Sequence, residues 1–215
     1  MTLPILFDLD GTLVESGPSI TASIRATMKE IDGPELDDAT LRAFIGPPLR
    51  NGFEDLAGLH GDQLEQAVAF YMNHQLTEGI NIIEPYEGIP ELLQELVSAD
   101  IPLAVATSKR TLNARKVLDN TDLAQYFVGI SGSEPERMTK RHSIETALYL
   151  LEQDGHATKN AVMVGDRIHD IEGARHFHMP VIAVTWGYGT HDEYAHADAV
   201  VDTVAELGEK LQKGL

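Results

Sequence analysis

The chain has 215 residues, of which 43% are hydrophobic and 23% charged, and it contains no low-complexity tract. This composition is typical of a globular protein and excludes the disordered, collagen-like and coiled-coil classes. The 16 basic and 34 acidic residues give a formal net charge of −18, which argues against sequence-independent binding to nucleic acid or to an anionic membrane.

The first predicted element is the short apolar run Ile5–Phe7, followed by Asp8, Leu9, Asp10 and Gly11. The pattern predicts a buried strand that ends where its acidic residues emerge. Because side chains alternate along a strand, we expect Asp8 and Asp10 to point the same way. Two carboxylates in apolar surroundings repel each other unless a cation or a proton transfer uses them, so a chemical role is favoured over ordinary turn chemistry.

Residues 16–82 show only helical periodicity and are predicted to form an inserted α-helical cap domain. A first apolar stripe ends at Gly33-Pro34, a second helix is predicted from Asp37 to Phe44, and a further stripe begins at Leu64. Between them, the glycine and paired prolines of Gly46–Arg50 predict a rigid turn. A block of this length without a strand does not fit a simple crossover helix.

Beyond Pro85 the pattern alternates between helices and apolar strands, and it predicts a core formed by residues 1–15 and 83–215. Strands are predicted at Ile101–Ala106, Tyr126–Ser131, Ala161–Val164, Val181–Thr185 and Ala199–Val201. Such alternation predicts the α/β class, with a doubly wound parallel sheet of the Rossmann-like type and helices on both faces.

Three of the predicted strands end in polar residues, namely Asp8 with Asp10, Thr107 with Ser108, and Gly165 with Asp166. Parallel strands bring these ends to one edge of the sheet, so residues far apart in the chain are expected to share a site. Lys140 joins them from the start of a predicted helix.

These motifs, in this order and spacing, resemble those of the haloacid dehalogenase-like hydrolase superfamily, in its branch with a helical cap after the first strand. Asp8–Thr12 resembles the first motif, Val105–Lys109 the second, Lys140 the third and Gly165–Asp170 the fourth. The resemblance covers essentially the whole chain. It implies a magnesium-dependent phosphatase that hydrolyses a small phosphate monoester through an aspartyl-phosphate.

The resemblance also implies the roles of the reacting groups. Asp8 would be the nucleophile that attacks phosphorus. Asp10 would protonate the leaving alcohol and later take a proton from the hydrolytic water. Lys140 would neutralise both the phosphate and Asp8.

Binding of the phosphate and the metal is implied in the same way. The hydroxyl of Thr107 would bind a phosphoryl oxygen, with further contacts at Ser108 and Gly11. Asp8, the backbone carbonyl of Asp10 and the carboxylate of Asp166 would hold Mg²⁺, which prefers oxygen ligands. Asp170 would ligate through water or orient Lys140.

Several of these assignments have alternatives in the sequence. Thr107 and Ser108 could form an ordinary helix N-cap. The role of Lys140 could instead fall to Lys109, Arg137 or Arg141, which lie close to the second and third motifs.

Two further groups of residues allow a functional interpretation. His169, His176 and His178 could suggest a metal site, but surface histidines are favoured because Mg²⁺ takes oxygen ligands. Trp186–Gly189 follows a strand that ends at the same edge, and its two glycines would allow a close backbone approach to the pocket as readily as a plain turn.

The predicted cap carries the clues to the substrate. Its turn Gly46–Arg50 looks like that of relatives known as phosphoglycolate phosphatases or 5′-nucleotidases. Arg50 could hold a second anionic group of the substrate or could be a surface arginine. Glu15 stands where many capped relatives carry an aspartate, which leaves its role open.

Two other functions compete with a phosphatase. A phosphosugar mutase of the same superfamily would share the core and differ mainly in the cap. A phospho-signalling receiver also uses an aspartyl-phosphate, a lysine and magnesium, but its phosphorylated aspartate is expected in mid-chain rather than on the first strand.

The surroundings of the protein are predicted only in outline. The chain contains no cysteine, which excludes disulfides and thiolate metal sites. It shows neither a basic leader with a long apolar segment nor a run of membrane-spanning length, so we expect a cytoplasmic protein. The expected partner is a small phosphorylated metabolite, with no nucleic acid and no membrane, and the protein is expected to be a monomer or homodimer.

Overall fold

The structure is a computed structural model that describes residues 3–45, 49–137 and 139–213. The chain divides into two compact units. Residues 1–15 and 84–215 form one of them, called here the core unit, and residues 16–83 form the other, called the helical unit.

The core unit contains a six-stranded parallel sheet. Its strands are β1 (Ile5–Phe7), β4 (Leu103–Arg110), β5 (Gly129–Ser133), β6 (Val162–Gly165), β7 (Val181–Val184) and β8 (Ala199–Val201). They lie in the order β5-β4-β1-β6-β7-β8, so the chain winds outward in both directions from β1. This arrangement confirms the predicted doubly wound α/β fold.

In the described part of the core unit there are six helices, and four of them connect strands of the sheet. They are α5 (Ile89–Ser98), α6 (Thr111–Asn120), α7 (Lys140–Gln153), α8 (Ile168–His176), α9 (His191–Tyr194) and α10 (Val204–Lys213). Two short 3-10 helices, Gly79–Ile82 in the helical unit and Ala124–Tyr126 in the core unit, complete the helical structure. Across the described ranges, no helix combines the length and apolar composition needed to cross a membrane.

Several predicted strand boundaries are wrong, two of them by three or four residues. Tyr126 ends the second 3-10 helix, and β5 begins only at Gly129, where pairing with Ala104 starts. The strand predicted to end at Ala106 continues to Arg110, because β4 pairs again with β5 after an irregularity. Apolar content predicted where each strand is buried, whereas hydrogen bonding to the neighbouring strand determines where it ends.

A two-stranded antiparallel ribbon also belongs to the core unit. It pairs β2 (Val14–Glu15) with β3 (Glu84–Pro85). Segments of two residues are too short to show a period of two, which is why the sequence did not predict them.

One face of the sheet packs against α7 and α8 through small and medium apolar side chains. The buried cluster comprises Leu6, Ala104, Ala106, Ile144, Ala147, Leu151, Ala161, Met163, Ile171, Ala174, Met179 and Val181. Close packing here anchors the beginning of α7 and of α8 against the ends of the central strands.

The helical unit has its own apolar core. Its helices are α1 (Gly17–Glu30), α2 (Asp38–Ala43), α3 (Leu49–Asp55) and α4 (Gly61–Thr77). Phe53 packs edge-to-face against Phe44 and Tyr71, with ring centroids 5.4 and 6.0 Å away. Of the predicted turn, Gly46, Pro47 and Pro48 lie outside the described residues, and Leu49 and Arg50 belong to α3 rather than to a turn.

Candidate active site

The site is built at the carboxyl ends of the three central strands. Phe7 of β1 pairs with Val105 of β4 and with Val164 of β6, so the residues that follow these strands lie next to one another. The amide of Asp8 donates to the carbonyl of Val164 at 2.9 Å, which extends the pairing by one residue. Asp8 is 7% exposed, so its carboxylate is almost completely removed from water.

Lys140 is the cation that contacts Asp8. It is the first residue of α7 and is buried, and its Nζ lies 2.7 Å from Asp8 Oδ1. The same Nζ lies 2.6 Å from Asp170 Oδ1 and donates to the carbonyl of Ala106 at 2.9 Å. The contacts with Asp8 and with the carbonyl of Ala106 are hydrogen bonds, and the contact with Asp170 is an ion pair.

The three alternative cations are placed elsewhere. Lys109 pairs with Asp10, Arg137 pairs with Glu145, and Arg141 is exposed. Lys140 and Arg141 are adjacent in sequence, but only the first lies on the face of α7 that packs against the sheet.

Asp170 links α8 to Lys140. Its Oδ2 accepts hydrogen bonds from the amides of Asp166 at 3.1 Å and Arg167 at 2.9 Å, at the beginning of α8. Its Oδ1 forms the ion pair with Lys140. Of the two predicted roles of Asp170, orienting Lys140 is the one that this geometry favours.

Asp166 is fully buried, and both of its oxygens accept hydrogen bonds. The hydroxyl of Thr12 lies 3.2 Å from Oδ1, and the amide of Tyr188 donates to Oδ2 at 2.7 Å. Gly11 has φ +86°, and a Cβ at this position would lie 2.3 Å from Asp166 Oδ2. Gly11 therefore allows the first motif to turn directly against Asp166.

The burial of these charges shifts their pKa values. The pKa of Asp8 is raised to about 6. Burial is the largest cause, the Lys140 ammonium acts in the opposite direction, and the Asp170 carboxylate raises the pKa further. Burial, followed by the charges of Asp170 and Asp8, raises the pKa of Asp166 well above its usual value. Burial lowers the pKa of Lys140, but its two carboxylate partners outweigh this and raise the pKa above its ordinary range.

Asp10 forms a separate ion pair beside this cluster. Lys109 Nζ donates to both carboxylate oxygens of Asp10 at 2.7 Å. The two side chains are 15% and 22% exposed, so the pair is less buried than Lys140 and its two carboxylate partners.

Thr107 and Ser108 both lie within β4. Thr107 is buried, its hydroxyl accepts from the amide of Lys109 at 3.2 Å, and its carbonyl accepts from Ser143 at 2.8 Å. Ser108 is exposed. The alternative that these residues cap a helix is wrong, because α6 begins at Thr111, directly after the strand.

The buried acids fit a divalent cation. One oxygen from each of Asp8, Asp166 and Asp170 lies within 4.8 Å of the others, and among the described residues this is the one group of three or more candidate ligands. When ionised, the three carboxylates and Lys140 leave two uncompensated negative charges in a buried place, which is costly unless a cation is bound. Oxygen donors of this kind suit a hard metal ion.

The histidines that could have suggested another metal site are exposed. His169 and His176 lie on the outer side of α8, and His178 follows it with φ +56°. None of them belongs to a cluster of candidate metal ligands in the described part of the chain.

Arg50 and Glu15 do not join the described cluster. Arg50 donates from two guanidinium nitrogens to the two carboxylate oxygens of Glu65, at 2.7 and 2.8 Å, on the exposed side of the helical unit. Glu15 is exposed and pairs in register with Glu84 in the short ribbon.

Sequence reasoning missed three contacts of the site. The donation from Thr12 to Asp166, from Ser143 to Thr107, and from Lys109 to Asp10 was not predicted. Thr12 and Lys109 lie inside the recognised motifs, so the signal was present without a partner being assigned. Ser143, one helical turn after Lys140, carried no such signal.

Comparison with known proteins identifies relatives that match most of this chain. A 5′-nucleotidase of Pseudomonas aeruginosa is 37% identical over 189 residues, which cover 88% of this chain and 85% of the relative. The tyrosine-protein kinase PtkA of Mycobacterium tuberculosis is 31% identical over 211 residues, 98% of this chain and 72% of the relative. A phosphoglycolate phosphatase of Aquifex aeolicus is 32% identical over 184 residues, 86% and 85% of the two chains.

The fold and the sequence profile agree with these relatives. A solved structure of a haloacid dehalogenase-like family hydrolase from Streptococcus pneumoniae superposes with a TM-score of 0.85, at 34% identity over 96% of each chain. The family profile described as haloacid dehalogenase-like hydrolase matches residues 5–184, which include all four motifs. The chain therefore belongs to the haloacid dehalogenase-like hydrolases.

Proposed function

We propose that this hydrolase is a magnesium-dependent phosphatase, which transfers the phosphoryl group of a small phosphate monoester to Asp8 and then to water. The contact of Lys140 Nζ with Asp8 Oδ1 at 2.7 Å is the observation that carries the proposal. It supports an anionic nucleophile held in place by a buried cation at the end of the central strand. The family match, together with the relatives named 5′-nucleotidase and phosphoglycolate phosphatase, supports the same reaction class.

The first step forms a bond from an Asp8 oxygen to phosphorus and breaks the bond from phosphorus to the ester oxygen. The leaving alkoxide takes a proton from the carboxyl group of Asp10. In the second step Asp10 accepts a proton from water, the water oxygen bonds to phosphorus, and the Asp8 carboxylate is released with inorganic phosphate. Atoms and charges balance because Asp10 returns to its starting form.

Lys140 and Thr107 serve both steps in this proposal. The ammonium of Lys140 offsets the repulsion between Asp8 and the anionic phosphate, and it contacts Asp8 before substrate arrives. Asp170 keeps Lys140 in this position by its ion pair at 2.6 Å. The hydroxyl of Thr107, on the neighbouring strand, is a donor for a phosphoryl oxygen.

The carboxylates of Asp8 and Asp166, with the carbonyl of Asp10, would hold Mg²⁺. When bound, Mg²⁺ supplies positive charge that withdraws electron density from the phosphoryl group and compensates the buried carboxylates. The carboxylate of Asp166 suits this role as a ligand, because the hydroxyl of Thr12 and the amide of Tyr188 fix its orientation.

The proposal also covers which kind of phosphate monoester is the substrate. A phosphoglycolate-like molecule or a nucleoside monophosphate is proposed, because two of the relatives carry these substrates in their names. The net charge of −18 favours a small metabolite over a nucleic acid or a membrane surface as the partner. A cytoplasmic location and a monomeric or homodimeric state stay predictions.

The test is phosphate release from a panel of phosphoglycolate, sugar phosphates and nucleoside monophosphates, with Mg²⁺ and with a chelator. We expect many turnovers per chain with Mg²⁺ and none after exhaustive chelation. Asp8→Asn, which keeps the shape of the side chain but cannot act as an anionic nucleophile, should release no phosphate above the enzyme-free control.

The same experiment separates the two competing functions. A receiver-like module would retain a single phosphoryl group per chain, and a mutase would convert one sugar phosphate into another without net release. Either result, or full activity of Asp8→Asn, would reject the proposed phosphatase.

A further inference from the structure

The segment Trp186–Gly189 lies directly on Asp166 in the core unit. It follows β7, and the amide of Tyr188 donates to Asp166 Oδ2 at 2.7 Å. A hydrogen bond from an amide to a carboxylate is charge-assisted, and it is stronger in a buried place than in water. None of the roles assigned to the four motifs includes this segment.

The two glycines of the segment are required by the close approach to Asp166. A Cβ at Gly187 would lie 2.4 Å from Asp166 Oδ2 and 2.4 Å from the carbonyl oxygen of Gly11. A Cβ at Gly189 would lie 1.9 Å from the carbonyl oxygen of Asp166. Two of these contacts are with backbone atoms, so a side chain at either position would force the segment away from Asp166.

Trp186 attaches the segment to the first motif. Its indole Nε1 donates to the carbonyl of Thr12 at 3.2 Å, and its ring packs edge-to-face on Tyr86 with centroids 6.4 Å apart. The hydroxyl of Thr12 is within hydrogen-bond distance of Asp166 Oδ1, at 3.2 Å. One residue, Thr12, therefore holds the indole with its carbonyl and Asp166 with its hydroxyl.

We propose that Trp186–Gly189 is a positioning segment for the cation ligand Asp166, and that its backbone amide and its two glycines hold this carboxylate in the orientation that binds Mg²⁺. The inference rests on the proposed function, since it assigns the segment a role toward the cation. The amide of Tyr188 and the hydroxyl of Thr12 each use one lone pair of an Asp166 oxygen, and the remaining lone pairs stay available to a metal ion. A ligand already held in place loses little freedom when the cation binds.

Two variants test the segment. Gly187→Ala adds the Cβ that would lie 2.4 Å from Asp166, and Trp186→Phe removes the indole donor while keeping an aromatic ring. Gly208→Ala is the matched control, because it adds the same methyl group in α10 of the same unit, where the nearest atom is the flexible end of Leu92 at 3.2 Å. Asp166→Asn serves as the reference for loss of the ligand charge.

The measurements are the dissociation constant of Mg²⁺ by calorimetry, the rise in melting temperature that Mg²⁺ causes, and the Mg²⁺ dependence of phosphate release. We expect Gly187→Ala to bind Mg²⁺ about 10–100-fold more weakly, as is typical when the support of a metal ligand is lost. Trp186→Phe should weaken binding by about two- to tenfold, the range for one hydrogen bond. Gly208→Ala should match the wild type, and saturating Mg²⁺ should restore much of kcat in Trp186→Phe.

The outcomes separate the inference from the proposed function. If the wild type binds Mg²⁺, Asp166→Asn does not, and both segment variants keep the wild-type dissociation constant, the inference is wrong and the phosphatase proposal stands. A lower melting temperature without Mg²⁺ but an unchanged dissociation constant would likewise assign the segment a purely structural role. If Gly187→Ala does not fold, Trp186→Phe decides alone. A wild type that neither binds Mg²⁺ nor releases phosphate overturns both proposals.

Discussion

Lys140 is held between two carboxylates inside the protein. Asp8 Oδ1 and Asp170 Oδ1 lie 2.7 and 2.6 Å from its Nζ. A buried ion pair contributes little net stability, because removing its charges from water costs about as much as their attraction returns. The arrangement is therefore better explained by the chemistry of the site than by the stability of the fold.

The raised pKa of Asp8 leads to a prediction on stability. Its folded pKa of about 6 lies above the ordinary 3.8, so the folded protein binds this proton more tightly than the unfolded chain does. The stabilisation is complete below the unfolded pKa and is lost as pH rises through 6. Between pH 5 and pH 7.5 the metal-free wild type should lose on the order of 1 kcal/mol relative to Asp8→Asn, because the first pH lies below the folded pKa of Asp8 and the second lies above it.

Urea unfolding of both proteins in chelator, at the two pH values, measures this difference directly. Comparing the wild type with Asp8→Asn removes the general effect of pH on a chain with 34 acidic residues. Parallel pH profiles would show that Asp8 ionises normally. Added Mg²⁺ should stabilise the wild type more at pH 7.5 than at pH 5.

The Lys109–Asp10 ion pair supports a second prediction at the residue scale. Lys109 donates to both oxygens of Asp10 at 2.7 Å, which fixes the carboxyl group that we propose as the acid and base. Lys109→Met should lower kcat by at least about tenfold, a part of the 10²–10⁴ that general acid-base catalysis contributes. Lys109→Arg should keep more activity than Lys109→Met, because it retains the charge.

Steady-state kinetics with one phosphate monoester distinguish this role from substrate binding. If Lys109 acts through Asp10, KM changes little and the effect disappears in the background of Asp10→Asn. A raised KM with unchanged kcat would instead assign Lys109 to the substrate.

At the scale of elements, α1 and α4 of the helical unit meet through polar side chains as well as through their shared apolar cluster. Gln75 Nε2 donates to the carbonyl of Ser19 at 2.9 Å and to the hydroxyl of Ser23 at 2.8 Å. The hydroxyl of Ser19 donates in turn to the carbonyl of Gly79 at 2.8 Å. Small serines let the two helices approach closely, and Gln75 satisfies the polar groups that this approach buries.

Replacing Gln75 should therefore destabilise the protein. Gln75→Leu keeps the side chain long and unbranched at Cβ but removes the amide group that donates to the carbonyl of Ser19 and the hydroxyl of Ser23. We therefore expect the free energy of unfolding to fall by about 1–3 kcal/mol. Gln66→Leu, an exposed position on the same helix, is the control and should change stability by less than about 0.5 kcal/mol. Equal midpoints of urea unfolding for the two variants would contradict the assigned role.

At the scale of the whole molecule, the residues proposed for phosphoryl transfer all lie in the core unit. Asp8, Asp10, Lys140 and Asp166 belong to it, whereas Arg50 belongs to the helical unit. Arg50 contacts Glu65 with two nitrogens, and its side chain is 48% exposed. An exposed pair of this kind adds little stability, so separating Arg50 from Glu65 costs little free energy.

This separation predicts that chemistry and substrate choice respond to different substitutions. Arg50→Ala should lower kcat/KM for a substrate with a second anionic group. If a charge-assisted hydrogen bond is lost, the decrease corresponds to about 1.5–3 kcal/mol of transition-state stabilisation. A small aryl phosphate without that group should be affected much less. Glu65→Gln removes the charge that pairs with Arg50. In this variant kcat/KM for both substrates should equal or exceed the wild-type value.

Both substrates are measured on one enzyme preparation, so that misfolding would lower the two rates together. Equal losses in Arg50→Ala would indicate a structural role for Arg50. Unchanged rates would place it on the surface, and the search for a specificity residue would then turn to Glu15 and Leu49.

The sequence by itself determined the class of fold and indicated candidate residues for the site. Alternating apolar strands and helices predicted the doubly wound sheet, because burial imposes these periods on the chain wherever it folds. The spacing of Asp8, Thr107 and Asp166 predicted one shared edge, because parallel strands end on the same side of a sheet. Their individual roles stay predictions.

Only the tertiary structure decided which groups contact one another. Lys140 reaches Asp8 while Arg141 is exposed, because α7 packs on the sheet with one face, and the cation for Asp10 comes from the unexpected extension of β4. The sequence does not indicate that the amide of Tyr188 binds Asp166, because nearly every residue carries an amide. The path of the loop after β7, set by strand register and by the space that its glycines leave, selects the one amide that meets the carboxylate.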